Sequence, residues 1–284
     1  MYKIAILGCE NSHAIGFLDI ISKDYSDVQV IGLYSDEEGV AEALGKKYGV
    51  PVMKTADELV GKVDGVVNVA RHGGKRYAMT KPYIATGVPV MLDKPVVNSE
   101  EDALALKADL LARKVKACGG SLCRFPQPVQ DLKKAVEEQT WGEVYGGLLR
   151  APINTDNEYG GFPYYAQHLV QAMGEIFGYY PNSVQAFVNG KVINCIVHYD
   201  SYDVNLQFVE KNDNFYAGVS CENYGVFEQY RFAGCFEKEF AEFYDLVRGE
   251  EQKTSYDDII APVFVMCAIE RAIQSGKEEV IHRA

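Results

Sequence analysis

Through the first 120 positions, short aliphatic runs alternate with stretches whose apolar positions recur every three or four residues. Lys3 to Leu7 reads KIAIL, stops at Gly8, and is followed by an amphipathic stretch carrying Ile15, Leu18, Ile20 and Ile21. Consecutive apolar positions suit a strand buried on both faces, and the recurrence after them suits a helix. Val28 to Asp36 repeats the pattern, with a helix predicted through Ala41, Leu44 and Tyr48. Thr55 to Glu58 has the form of a capping box opening a short helix. Gly65 to Ala70 reads as strand and Tyr77 to Thr86 as helix. Val88 to Leu92 is the next strand and ends at Asp93-Lys94-Pro95; Ser99 to Asp102 caps a helix reaching Lys114, and Val115 to Gly119 closes the series. This alternation implies right-handed crossovers and a doubly wound parallel sheet of about six strands.

From Arg124 the pattern changes. A helix through Val129, Leu132, Ala135 and Val136 leads to Trp141-Gly142-Glu143, after which strands dominate: Val144–Pro152, Ser183–Asn189, Val192–Tyr199, Val204–Glu210, Phe215–Cys221 and Val226–Phe232. Val204, Leu206 and Phe208 alternate with Asn205 and Gln207, the signature of a half-buried antiparallel strand. Asn189-Gly190 and Asn212 to Asn214 are the expected hairpin turns. One sheet face should pack on a helix containing His168, leaving the other, with Tyr216 and Tyr230, open for a second subunit. Two helices follow, Phe236–Val247 and Tyr256–Ile273, the latter with Pro262 in its first turns. The expected class is α/β: a Rossmann-type domain over 1–121, and an α+β domain with a large, mainly antiparallel open sheet over 122–284.

Charge narrows the function classes. A net charge of -12 argues against a nucleic-acid or anionic-membrane surface. Seven scattered cysteines with no CxxC pair speak against a disulfide framework or a zinc site, and no metal is expected. With no charged-then-apolar leader and no run of spanning length, the expectation is a cytoplasmic protein acting on a small molecule.

Candidate chemistry falls where the strands end, since open α/β sheets bind ligands beyond their carboxyl edges. Lys94 leaves the strand at Val88–Leu92 and is followed by Pro95, which stiffens the turn. At the first strand exit the dinucleotide frame G-x-G-x-x-G reads Gly8, Glu10, His13. A carboxylate there repels a pyrophosphate by roughly 4 kcal/mol at 4 Å with an effective dielectric of 20, so Glu10 must turn away or the phosphates must shift. Asn11, Ser12 and His13 either offer donors to an anion or only cap the helix. Ser35 and Asp36 lie where an acid grips an adenosine ribose; with Glu37 and Glu38 following, NAD is expected rather than NADP. After Ala70, the run Arg71-His72-Gly73-Gly74-Lys75-Arg76 suggests an anion clamp for cofactor or substrate, and otherwise a solvated basic loop.

Taken together, the strand order, Leu92-Asp93-Lys94-Pro95, Gly120-Ser121-Leu122-Cys123-Arg124-Phe125, Gly160-Gly161 before His168, and Glu270-Arg271-Ala272 resemble the Gfo/Idh/MocA oxidoreductases. Asp93 stands for the glutamate of that family's E-K-P motif. The resemblance implies that Lys94 is the active-site lysine, that Gly8, Glu10, Asn11, Ser12, His13, Ser35, Asp36, Ala70, Arg71, His72, Asp93 and Lys94 border NAD, and that His168 is the catalytic histidine. It implies a last helix bracing both domains and a homodimer or homotetramer paired through the second sheet. The family motif D-x-G-x-H is altered, with Tyr164 and Ala166 before His168 and Gln171 after it; Tyr164, one helical turn earlier, is the expected substitute for the aspartate. Substrate would meet Lys94, Arg124, Tyr164, His168 and Lys75. The implied reaction is hydride transfer between NAD and a carbinol carbon of a sugar, polyol or related acidic molecule, His168 taking the hydroxyl proton and Lys94 holding the alkoxide. Two alternatives stay open: a hydrolase or epimerase that retains its NAD, and a non-catalytic ligand-binding or regulatory protein on the same fold.

Overall fold

A computed structural model describes residues 1–283. In chain order the elements are β1 (Tyr2–Leu7), α1 (His13–Asp24), β2 (Val28–Tyr34), α2 (Val40–Tyr48), β3 (Gly65–Asn68), α3 (Gly73–Ile84), β4 (Val90–Asp93), α4 (Glu100–Arg113) and β5 (Ala117–Gly120). A 3₁₀ turn at Leu122–Arg124 precedes α5 (Gln127–Glu137), β6 (Val144–Ile153), α6 (Pro163–Phe177), β7 (Ser183–Asn189), β8 (Val192–His198), β9 (Asp203–Glu210), β10 (Phe215–Cys221) and β11 (Gly225–Tyr230). The chain closes with α7 (Cys235–Val247), α8 (Tyr256–Ser275) and β12 (Glu279–Val280).

The first unit, Met1–Gly120 with Phe236–Ile259, holds a parallel sheet in the order β2-β1-β3-β4-β5. It has five strands, not six. The segment at the outer edge of β2 reaches it through one bridge, Leu33 to Val52, and stops there, because the chain goes straight into turns. Those turns also replace the helix expected from Thr55. Glu58 accepts from the Lys54 N–H at 2.6 Å, and three-residue bonds such as Val60 N to Asp57 O form in place of a helical ladder. α3 begins four residues earlier than the periodicity suggests, because the His72 imidazole accepts from Gly74 N at 3.1 Å and caps it.

Alternation sorts the sheet's two faces. Ile4, Ile6, Val67 and Val69 point to one core with Phe17, Leu18 and Ile21 of α1, while Ala5, Leu7 and Val66 point to the other with Met53, Val63 and Tyr83. Phe240, Phe243 and Leu246 of α7 complete the first of these cores. The expected division at 121 and 122 is therefore corrected: the boundary follows Gly120, and α7 returns to the first sheet because its apolar stripe is buried there. α8 starts in this unit and runs on in the second after Ile259.

The second unit, Ser121–Cys235 with Ile260–Ala284, carries a seven-stranded sheet ordered β11-β10-β6-β9-β8-β7-β12. All neighbours are antiparallel except β6 and β9. Asn189-Gly190 does turn a hairpin, with Asn189 opposite Val192 and Gly190 at φ +58°. The segment at Asn212 to Asn214 does not. β10 pairs with β6 and β11 rather than with β9, so this connection passes across β6. α6 covers the inner face with Ala166, Leu169, Val170 and Met173 fully buried, and Phe162 packs edge-on to Phe208 at 5.2 Å. Tyr230, expected on the open face, is instead 1% exposed and packs against Phe215 and Phe232. It ends β11 on the inward beat of the pleat, one step after outward Gln229. Tyr216 does face outward, stacked on Phe227 at 5.3 Å.

Candidate functional site

The first unit's site is built at the carboxyl edge of its sheet. Gly8 turns the chain out of β1 at φ +79°, and a Cβ there would lie 2.1 Å from the Ala70 backbone. The turn is tied down by Gly8 N and Cys9 N, both donating to Tyr34 O at 2.9 Å. Gly8→Ala should destabilise the protein by at least about 3 kcal/mol, from left-handed strain plus overlap. Urea denaturation measures this, and a loss below about 1 kcal/mol would show that the turn relaxes easily.

The substituted fingerprint is a network. The Glu10 carboxylate accepts from the Ser35 hydroxyl at 3.0 Å and from Arg71 N at 3.1 Å, joining the exits of β1, β2 and β3. Asn11 Nδ2 donates to Asp93 at 3.2 Å, its Oδ1 accepts from His13 N, and His13 Nδ1 lies 3.1 and 3.0 Å from the two Asp93 oxygens. Asn11 and His13 thus serve the strand exit rather than an anion. The Ser12 hydroxyl makes no capping bond at the start of α1 and is exposed.

Around β4 the groups are buried and charged: Asp93 and Arg76 completely, Lys94 to within 3%. Arg76 Nη2 donates to the carbonyls of Ala70 and of Lys94, the latter at 3.2 Å across the cis Lys94-Pro95 link. Burial would raise the Asp93 carboxyl, but His13, Lys94 and Arg76 outweigh it and hold the group at about 2. Burial pulls the Arg76 guanidinium down to about 10.

At the β2 exit, Asp36 accepts from Tyr34 OH and from Lys75 Nζ, each at 2.8 Å. Although burial opposes it, these bonds lower the Asp36 carboxyl below its ordinary value. Lys75, expected with a substrate anion, instead pairs with Asp36, which its α3 position faces. Arg71 Nη1 lies 3.9 Å from Glu37, and burial, then Lys75, lowers the His72 imidazole. A hollow of about 800 Å³ opens here, lined by Ser35, Asp36, Ala41, Lys54 and Lys75.

The second unit centres on His168, 6% exposed on α6. Its Nδ1 lies 2.7 Å from Ser121 Oγ and 3.4 Å from Cys123 Sγ. Ser121 is anchored in turn, its N–H donating to Gln171 Oε1 at 3.2 Å; Gln171 Nε2 donates to Tyr179 OH, and Tyr179 to Glu175. Arg124, 7% exposed, closes the 3₁₀ turn, and its carbonyl accepts from Gln130. The Tyr165 ring packs 4.8 Å from the imidazole, whereas Tyr164 lies 5.0 Å from Tyr159. Tyr165 also borders a hollow of about 600 Å³ outside the carboxyl ends of the parallel pair β6 and β9, with Asn154, Asp156, Glu210 and Asp213. Sequence reasoning missed Ser121 and Tyr165 as site residues. Only the neighbouring motif and the position beside Tyr164 pointed to them.

A parallel sheet with an acid at one strand exit and buried cations at another defines a dinucleotide-binding fold of the Rossmann type. Residues 2–118 match the model of the Gfo/Idh/MocA oxidoreductases, described as an oxidoreductase family with an NAD-binding Rossmann fold. No protein of curated function matches the sequence. Among solved structures, it is similar to scyllo-inositol dehydrogenase from Lactobacillus casei with bound NAD(H) and scyllo-inositol: 14% identity, 99% of each chain covered, TM-score 0.86. It is also similar to the WlbA dehydrogenase of Chromobacterium violaceum in complex with NADH and UDP-GlcNAcA, at 15% identity, 99% of this chain and 96% of that one, TM-score 0.82. A third, from Desulfitobacterium hafniense DCB-2 and assigned as an NADPH-dependent oxidoreductase, shares 16% identity over 99% and 97% of the chains, TM-score 0.86. At these identities the likeness is one of fold.

The residues present fit a dinucleotide. Asp36 stands at a hollow large enough for a nucleoside, Glu10 is drawn aside by two donors, and the Ser12 hydroxyl is available at the start of α1.

Proposed function

We propose that the protein is an NAD-dependent dehydrogenase acting on the carbinol carbon of a polyhydroxylated small molecule, a sugar, polyol or related acid. The observation that carries this reading is the buried Lys94, held at the β4 exit of a nucleotide-binding sheet by Asp93 and by the Arg76 bond to its carbonyl. NAD, when bound, supplies the hydride acceptor. Asp36 would take the adenosine ribose hydroxyls, with Ser35, Ala70, Arg71 and His72 bordering the nucleotide and Ser12 donating to a phosphate. Lys94 and His168 are the two side chains we assign to catalysis, Lys94 for charge stabilisation and His168 for work on the hydroxyl proton or its oxygen. Tyr164 and Arg124 orient the substrate.

Asp36 at the end of β2, with Glu37 and Glu38 following, favours NAD over NADP against the opposite pull that Lys75 and Arg71 nearby would exert on a 2′-phosphate. Calorimetry should show NAD binding more tightly than NADP, and Asp36→Ala should weaken NAD by about tenfold, the loss of roughly 1.4 kcal/mol of ribose bonding. Binding of neither nucleotide would favour the non-catalytic reading, for which the side chains filling the fingerprint speak. Turnover of substrate without net NADH would favour the NAD-retaining hydrolase or epimerase.

The open face of the second sheet supports self-association, as a homodimer or homotetramer: Leu148, Phe187 and Phe227 are 42%, 53% and 49% exposed there. Sedimentation of the wild type and of Leu148→Asp tests this, with a shift to monomer expected for the variant. The cysteines, all thiols and six of them buried, suit the cytoplasm.

A further inference from the structure

The hydrogen bonds of Ser121 determine which nitrogen of His168 carries the proton. Ser121 is fully buried and its hydroxyl has one proton to give. One lone pair of its Oγ already accepts from Cys123 N–H at 3.1 Å, and its own backbone N–H is used on Gln171. The acceptor available to the hydroxyl proton is His168 Nδ1, at 2.7 Å. The Cys123 sulfur lies 3.4 Å from the same nitrogen. If Nδ1 held a proton it would point at the Ser121 oxygen, and the Ser121 hydroxyl would be buried with its own proton unmatched. That arrangement is disfavoured roughly tenfold or more.

From this geometry we infer that Ser121 is a positioning residue that holds His168 as the neutral Nε2–H tautomer. The imidazole then works as a hydrogen-bond donor to the substrate oxygen and not as the acceptor of its proton. Ser121 also explains how the histidine is oriented without the aspartate that the family motif places four residues before it. Here the orienting group comes from the turn after β5 rather than from α6 itself.

The inference rests on the dehydrogenase reading for the role of the substrate, but its physical core is independent of any substrate. Long-range ¹H–¹⁵N correlation on the full chain labelled at histidine reads the tautomer directly, with His168→Asn assigning the signal among the five histidines. The wild type should show an unprotonated Nδ1 and a protonated Nε2. Ser121→Ala should move the signal toward mixed tautomers, and Ser121→Thr should restore it. With NAD and an oxidisable polyol, Ser121→Ala should lower kcat/KM by about tenfold and change its pH profile, again with recovery in Ser121→Thr. A wild-type signal with Nδ1 protonated, or a Ser121→Ala spectrum identical to wild type in a folded variant, overturns the inference. A wild type that shows the expected tautomer but oxidises no polyol overturns the dehydrogenase reading alone.

Discussion

Lys94→Met should lower kcat by about three orders of magnitude while leaving the fold and NAD affinity nearly intact, the scale expected when an acid–base or charge-stabilising group is lost. Methionine matches the lysine stem in length and removes only the ammonium, so packing in a site 3% exposed is preserved. Steady-state kinetics with NAD and a polyol, alongside thermal unfolding, separates the two effects. Turnover within threefold of wild type would remove Lys94 from the chemistry.

The second large effect is on stability. Asp93 is bonded to Asn11 and His13, and it faces Lys94 and Arg76 from within a fully buried position. Asp93→Asn leaves those cations without their counter-charge and should cost about 3 to 5 kcal/mol. The pH dependence follows from the same group. Its carboxyl is held at about 2 in the fold against an ordinary 3.8, so its contribution is fully present above about pH 4 and is lost as pH falls toward 2. Urea midpoints measured from pH 6 to pH 2 should fall more steeply for the wild type than for Asp93→Asn across that window. Parallel curves would mean that Asp93 is not so tightly held.

Much of this architecture was legible because it is local. The five parallel strands and their helices announce themselves by period, and the first unit's site follows from where the strands stop. What escaped is long-range. Nothing near Val52 says that it makes a single bridge and then leaves, and nothing near Asn212 says that β9 and β10 are separated by β6. Tyr230 looked open because the strand was read two residues too long, reaching Phe232, which hid its inward beat. The side chains filling the glycine frame could be named in advance but not their partner, because Asp93 lies 80 positions beyond His13. Ser121 and His168 are 47 apart, and no periodicity connects a turn residue to a helix at that distance.

The return of α7 to the first sheet bears on how the molecule is made. While the ribosome is still building the second sheet, the side of the nascent Rossmann unit formed by Ile4, Ile6 and Phe17 lacks Phe240, Phe243 and Leu246. That oily surface remains bare until synthesis has passed residue 247, roughly six to twenty-five seconds after residue 120 at about 5 to 20 residues per second. A fragment ending at Gly120 should accordingly be sticky, so a nucleotide-binding piece cut for biophysics needs the later helix supplied with it.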